Sequence, residues 1–193
     1  MPSDPLVRLQ LAFLTGQSNP QCCALSAQQA HFGQALLGPG RVLRLQNFPY
    51  QEATPAHAPV ALWRASWHNA AQYLSSRRPG FVRRYRDAVL QMLDATPHTL
   101  VLSGSCGLEL LANLMLPADA LQRISLLAYG PVARRAPACA RLLTVAASAD
   151  WISRWGYGPA MRSIAGGHMD YLAQPELLAL VQRFAAEVEA GLP

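Results

Sequence analysis

The stretch Leu100-Val101-Leu102-Ser103-Gly104-Ser105-Cys106-Gly107-Leu108 decides how the chain is read. It begins as an apolar run of strand length and passes without a linker into residues 106–116, where apolar residues recur at helical spacing. A strand-to-helix turn this sharp strains the backbone of its central residue. It leaves room only for small side chains two positions before and two after. Centred on Ser105, those positions are Ser103 and Gly107; centred on Cys106, they are Gly104 and the bulky Leu108. The spacing therefore favours Ser105 as an exposed nucleophile, in a Ser-x-Ser-x-Gly variant of the Gly-x-Ser-x-Gly elbow. A tight turn with a helix-capping serine would use the same residues, so the other strand ends carry the decision.

Outward from this turn, apolar runs of strand length alternate with helical patterns. Strands are expected over 9–14, 41–48, 98–104, 124–129, 142–147 and 161–165, and helices over 26–37, 106–116 and 174–189. Ser26 can cap the first helix, which stops at Gly38-Pro39-Gly40. Residues 49–97 form a long, partly helical connection that opens with Pro49, Pro55 and Pro59. Alternation of this kind implies right-handed crossovers and a mostly parallel sheet of about six strands covered on both faces, a three-layer α/β sandwich. No repeat or linker interrupts it, so residues 1–193 are expected to form one domain. In such sheets chemistry collects in the loops beyond the carboxyl ends of the strands.

Two of those loops hold what a serine nucleophile needs, a base and an acid to orient it. The run Val145-Ala146-Ala147-Ser148-Ala149-Asp150 ends on a carboxylate, and Ile164-Ala165-Gly166-Gly167-His168 ends on an imidazole. With only 11 acidic residues in the chain, a carboxylate at that strand end is not a trivial coincidence. Asp150 could equally cap a helix beginning at Trp151-Ile152, and His168 could be an ordinary loop histidine.

Composition narrows the alternatives. The 193 residues are 51% apolar and 14% charged, which excludes a disordered chain, and Gly and Pro show no period. All the basic residues are arginine, an Ala- and Leu-rich bias of the kind a GC-rich genome produces. Without lysine there is no Ser–Lys dyad and no Schiff base, which leaves His168 as the base. The net charge of +5 is modest. Its densest cluster is Arg77, Arg78, Arg83, Arg84 and Arg86, with Arg134 and Arg135 a second pair. No nucleic-acid-binding signature accompanies these arginines, so nucleic acid is not expected as a partner. Cys22, Cys23, Cys106 and Cys139 match neither a metal-ligand spacing nor a disulfide framework, so no metal or cofactor is expected. No stretch reads as a signal peptide or a membrane span, and a soluble cytoplasmic setting is the expectation.

The chain resembles a compact member of the α/β-hydrolase family, and Gly166-Gly167-His168-Met169-Asp170-Tyr171-Leu172 is similar to that family's catalytic-histidine loop. The resemblance covers most of the chain. It implies a minimal fold without the family's first two strands and without a cap domain. It also implies Ser105 as nucleophile, His168 as general base and Asp150 as orienting carboxylate. Asp170 is the competing acid, awkwardly close to His168 in sequence. For the oxyanion, the resemblance implies the backbone N–H of Cys106 and a second N–H from Thr15-Gly16-Gln17-Ser18-Asn19-Pro20, similar to the family's His-Gly-x. Gln17 is the expected donor and Ser18 the fallback.

The function these residues imply is a serine hydrolase of esters or thioesters, with carrier- or CoA-linked acyl groups as the favoured substrates. An acidic carrier protein could dock at the arginines. Trp63, Trp67 and Trp151 are candidates to line the acyl pocket. Three alternatives remain: an acyltransferase with the same residues, Cys106 as nucleophile, and a binding protein with a relic site.

Overall fold

The computed structural model describes residues 7–51, 57 and 60–192; Pro55 and Pro59 of the expected loop lie outside them. The first strand, β1 (Leu9–Leu14), is buried at every position, and its apolar run needs no alternation because both faces of the sheet are covered. Helix α1 (Ala27–Gln34) follows, opened by a capping box in which Ser26 Oγ accepts the Gln29 N–H at 3.2 Å and Gln29 Oε1 accepts the Ser26 N–H at 2.9 Å. Strand β2 (Arg41–Leu43) is short.

The expectation of a strand over 41–48 is corrected here. After Leu43 the chain leaves the sheet: Leu45 is exposed, Gln46 makes only an isolated antiparallel bridge to Ala24, and Asn47 turns inward to Thr15. The segment is instead held by isolated backbone bonds, Leu25 N–H to the Leu45 carbonyl and Asn47 N–H to the Cys23 carbonyl, together with the Asn47 side chain.

The long connection then forms helices α2 (Leu62–Ser75) and α3 (Pro79–Asp94). Pro79 opens α3, where a missing N–H costs nothing. Its Phe81, Val89, Met92 and Leu93 are buried at helical spacing. The rest alternates as β3 (His98–Gly104), α4 (Gly107–Asn113), α5 (Ala118–Gln122), β4 (Ile124–Tyr129), β5 (Arg141–Ala147), α6 (Trp151–Gly156), β6 (Arg162–Ile164) and α7 (Pro175–Ala190). A single 3₁₀ turn, Tyr171–Ala173, precedes α7. Among these, α5 is the helix that sequence reasoning missed; five residues are too few to show a period.

The six strands form one all-parallel sheet in the order β2-β1-β3-β4-β5-β6. One core packs α1 and α7 against Leu9, Leu11, Phe13, Leu100, Leu102 and Leu127. The other packs α3, α4 and α5 against the alternate residues Ala12, Leu14, Val101, Leu126 and Ala128. The fold is thus the expected three-layer sandwich. The chain runs outward from β1 to β2, then crosses back beyond β1 to β3 and continues the other way. The loops leaving β1 and β3 therefore diverge to opposite faces and open a crevice at the carboxyl edge of the sheet.

The capping box predicts a measurable loss. Ser26→Ala should cost about 1 kcal/mol, read as a lower urea midpoint with an unchanged slope.

Candidate active site

Ser105 sits in the turn between β3 and α4 with φ +51°, a left-handed conformation that non-glycine residues seldom adopt, whereas Cys106 next to it is ordinary helical backbone. The crowding that sequence reasoning assigned to the flanks is present. A Cβ on Gly107 would lie 1.8 Å from the Leu14 carbonyl oxygen and 2.8 Å from Ser103 Oγ. The backbone of Ser105 is tied on both sides, its N–H to the Tyr129 carbonyl at 3.2 Å and its carbonyl to the Val132 N–H at 2.9 Å.

The two other strand-end residues converge on it. Ser105 Oγ and His168 Nε2 are 3.2 Å apart, and His168 Nδ1 and Asp150 Oδ2 are 2.9 Å apart. An ionised carboxylate can only accept, so Nδ1 carries the imidazole proton and Nε2 accepts from the serine hydroxyl. Asp150 is buried and uses both oxygens. Oδ1 accepts the Ser153 N–H at 2.9 Å, capping α6, while Oδ2 also accepts the Tyr171 hydroxyl at 2.7 Å. Both readings of Asp150, cap and histidine partner, therefore hold in one residue. Burial alone would raise its carboxyl; the hydrogen bonds from Ser153, Tyr171 and His168 outweigh it and hold the group below the usual carboxylate range. Gly130, at φ +54°, leaves the space this cluster needs, since a Cβ there would lie 2.6 Å from the Tyr171 ring and 3.1 Å from Asp150 Oδ2. Asp170 is turned elsewhere: its Oδ2 accepts the Gly167 N–H at 2.8 Å and shapes the loop that carries His168.

Cys106 is buried under the turn, with Sγ against Gly16. Burial pushes its thiol up to about 12, so the thiolate required of a nucleophile does not form near neutrality.

The loop after β1 corrects one expectation. The Gln17 N–H is donated to Gln72 Oε1 of α2 at 2.8 Å, and Gln17 lies outside the wall of the cavity at Ser105. Its neighbours Gly16 and Ser18 line that cavity. Asn47 fixes the start of the loop, with Oδ1 accepting the Thr15 N–H at 2.9 Å and Nδ2 donating to Thr15 Oγ1 at 2.7 Å.

The cavity itself measures about 450 Å³. Ala65, Ser66, Asn69, Ala70 and Tyr73 of α2 form one wall, and Ile152, His168 and Met169 face them. Trp63, Trp67 and Trp151 are not among its lining residues; all three side chains project into solvent. They were expected at the pocket because aromatic residues cluster in these segments, but the wall is made by the small residues that alternate with them. Asn69 Oδ1 is buried beside Gly16 without a hydrogen-bond partner among the described residues.

Behind the nucleophile turn lies a carboxylate that sequence reasoning passed over. Glu109 on α4 has a fully buried side chain and accepts from Arg77 Nε (3.2 Å), Asn113 Nδ2 (3.2 Å), Arg134 Nε (2.9 Å) and the Arg134 N–H (2.9 Å). Arg77 also stacks on Tyr73, with its guanidinium 4.4 Å from the ring centroid. Two arginines counted in the expected docking clusters are thus structural. A lone acid within Leu108-Glu109-Leu110-Leu111 was the available signal, since a carboxylate on an apolar helix must find partners. Among the described residues no group of three His, Cys, Asp or Glu side chains gathers as a metal site would.

Known structures share this framework. The chain is similar to a carboxylesterase from Mesorhizobium loti, with TM-score 0.52 and 15% identity over 93% of this chain and 88% of that one. It is similar to esterase PE8, with TM-score 0.53 and 12% identity over 97% and 96% of the two chains. A cutinase-like protein from Cryptococcus sp. gives TM-score 0.53 and 12% identity over 97% of each. The chain has the α/β-hydrolase fold. No protein-family model matches the sequence, nor does any curated protein. At these identities the likeness is one of fold.

Glu109 yields a test of how the turn is held. Burial would raise its carboxyl, but the bonds from Arg134 and Asn113 and the charge of Arg134 keep it below the ordinary glutamate value. A carboxyl lowered on folding stabilises the protein above its unfolded pKa, and that contribution is lost as pH falls through the lower folded value. Glu109→Ala should therefore cost about 3 kcal/mol at neutral pH. The gap between wild type and variant in urea unfolding should narrow as the pH is lowered below the glutamate range.

Proposed function

We propose that the protein is a serine hydrolase that cleaves esters or thioesters through an acyl-enzyme intermediate. One observation carries this reading: the unbroken hydrogen-bonded series Ser105, His168, Asp150 and Tyr171 at the wall of an open cavity. Ser105 Oγ attacks the acyl carbonyl carbon while its proton passes to His168 Nε2. Asp150 keeps the imidazole in the required tautomer and stabilises the imidazolium that forms. Collapse of the tetrahedral adduct expels the alcohol or thiol, which takes the proton from His168. Water then repeats the sequence on the acyl-serine and releases the acid.

The developing oxyanion needs preorganised donors, each contributing about 3 kcal/mol. The Cys106 N–H at the start of α4 is one. The second comes from the loop after β1, where Gly16 and the fallback Ser18 face the cavity and Gln17 is committed to Gln72. The buried Asn69 Oδ1 is an acceptor suited to a donor on the substrate. The raised Cys106 thiol supports serine over cysteine, and the Gly167 bond to Asp170 supports Asp150 as the acid.

The favoured substrates are acyl groups on a carrier protein or CoA, met in a cytoplasmic setting. With Arg77 and Arg134 engaged by Glu109, the docking surface for an acidic carrier or for phosphates reduces to Arg78, Arg83, Arg84 and Arg86 with Arg135, of which only Arg86 is half-buried.

A fluorophosphonate probe should label wild-type protein at Ser105 and Cys106→Ala equally, and should not label Ser105→Ala. Absence of the Ser105 adduct by mass spectrometry overturns the reading. Asp150→Asn should lower kcat on p-nitrophenyl esters by about 10⁴-fold with the fold intact by circular dichroism. If the substrate is carrier-linked, Arg83→Glu with Arg84→Glu should lower kcat/KM for the acyl carrier protein and leave small esters unaffected. Equal rates on both substrates would remove the carrier from the proposal.

A further inference from the structure

The chain has four tryptophans, and all four are solvent-exposed: Trp63 at 73%, Trp67 at 71%, Trp151 at 68% and Trp155 at 88%. Tryptophan normally carries much of a protein's buried surface, so four unburied indoles in one small chain require an explanation. Their placement supplies it. Trp63, Trp67, Ala70 and Leu74 recur at i, i+4, i+7 and i+11 along α2, an apolar stripe on the side of that helix facing water. Trp151 and Trp155 lie one turn apart on α6, with Ile152 between them. The same two helices flank the Ser105 cavity, α2 through Ala65, Ser66 and Asn69 and α6 through Ile152. The exposed Met169, next to His168, completes the rim on the α6 side.

We infer that this rim is a lipid-docking surface that seats the mouth of the cavity on an anionic membrane or lipid aggregate. Three observations favour a lipid surface over a protein partner. The apolar groups stand on two separate helices that both line one cavity, an arrangement that a deformable surface can meet at both at once. Indoles place an apolar body and one N–H donor at the level of lipid headgroups. The charge on the two helices is of one sign: α2 and α6 contain no Asp or Glu, whereas Arg64 flanks Trp63, its guanidinium 6.0 Å from the ring centroid, and Arg154, which donates to the Ser148 carbonyl at 2.8 Å, separates Trp151 from Trp155. Asp170, the nearby exposed carboxylate of the His168 loop, is already bonded to the Gly167 N–H. Apolar burial together with basic side chains is the combination that holds a protein in the headgroup region of anionic bilayers. Seated this way, the cavity opens directly onto the phase from which an acyl chain can enter.

The inference rests on the reading of the cavity as an acyl site, but its test does not require catalysis. Ser105→Ala protein is mixed with vesicles of phosphatidylcholine and phosphatidylglycerol, and binding is followed by co-sedimentation and by the blue shift of tryptophan emission. Binding should be strong on anionic vesicles, weaker on pure phosphatidylcholine, and reduced about tenfold or more by Trp63→Ala with Trp67→Ala or by Trp151→Ala with Trp155→Ala. In the Ser105 background these same pairs should leave hydrolysis of soluble p-nitrophenyl acetate unchanged while slowing that of an ester dispersed in the vesicles. No sedimentation with anionic vesicles overturns the inference, as does binding indifferent to all four tryptophans. A concentration-dependent dimer lost in Trp63→Ala with Trp67→Ala would assign the rim to a second copy and also overturn it. Failure of the proposed hydrolase is separately visible as loss of fluorophosphonate labelling at Ser105.

Discussion

The carboxyl edge of the sheet depends on one contact with no space left in it, the approach of Gly107 to the Leu14 carbonyl. Strands β1 and β3 run in register with Leu14 opposite Ser103, so the first turn of α4 is pressed against the end of β1. The turn between them can only be made with small residues on both flanks and a strained residue between, and that residue is Ser105. Its amide and carbonyl are consumed by Tyr129 and Val132 of the next strand end. With the backbone held from two sides, the side chain has a single direction available, toward the cavity. Strain at this position is therefore maintained by the packing of three strands and one helix.

His168 and Asp150 depend on the same edge but not on the same contact. Each arrives at the end of its own strand, and the parallel register of β5 with β6 brings the two loops side by side. Tyr171 completes the set by receiving the Ala147 N–H from the end of β5 at 2.7 Å and passing its hydroxyl proton toward Asp150. One tyrosine thereby joins the histidine loop to the strand that carries the acid. The cluster is preorganised by groups that belong to different strands.

What was legible in the sequence follows the range of the interactions involved. Strands β1, β3 and β4 are covered on both faces, so each reads as a mainly apolar run whatever its neighbours are. The turn at Ser105 is legible from five consecutive residues, although the contact that enforces its small flank, Gly107 against the Leu14 carbonyl, is long-range. By contrast, the early end of β2 goes with residues 45–47 bonding back to 23–25 and Asn47 reaching Thr15. The fate of the Gln17 N–H depends on Gln72, 55 residues further along the chain. Neither partner has a periodic signature. The tryptophans are a different case, since their spacing on α2 is the pattern of a core-facing stripe. Only the fold shows that water lies on that side.

Charge placement explains why so small a framework can hold the arrangement. Two ionised carboxylates bracket the turn from opposite directions, Asp150 through His168 and Glu109 from behind, and both are kept ionised against burial by several donors each. Between them lies the Cys106 thiol, which burial keeps neutral. Had that thiol ionised, three negative groups would crowd the same turn. Keeping sulfur neutral avoids that repulsion at the start of α4. Leu108, whose bulk argues against a cysteine-centred turn, is fully buried in the same core as Cys106. The crowding that puts Ser105 rather than Cys106 at the centre of the turn and the burial that keeps the cysteine neutral thus belong to one short segment.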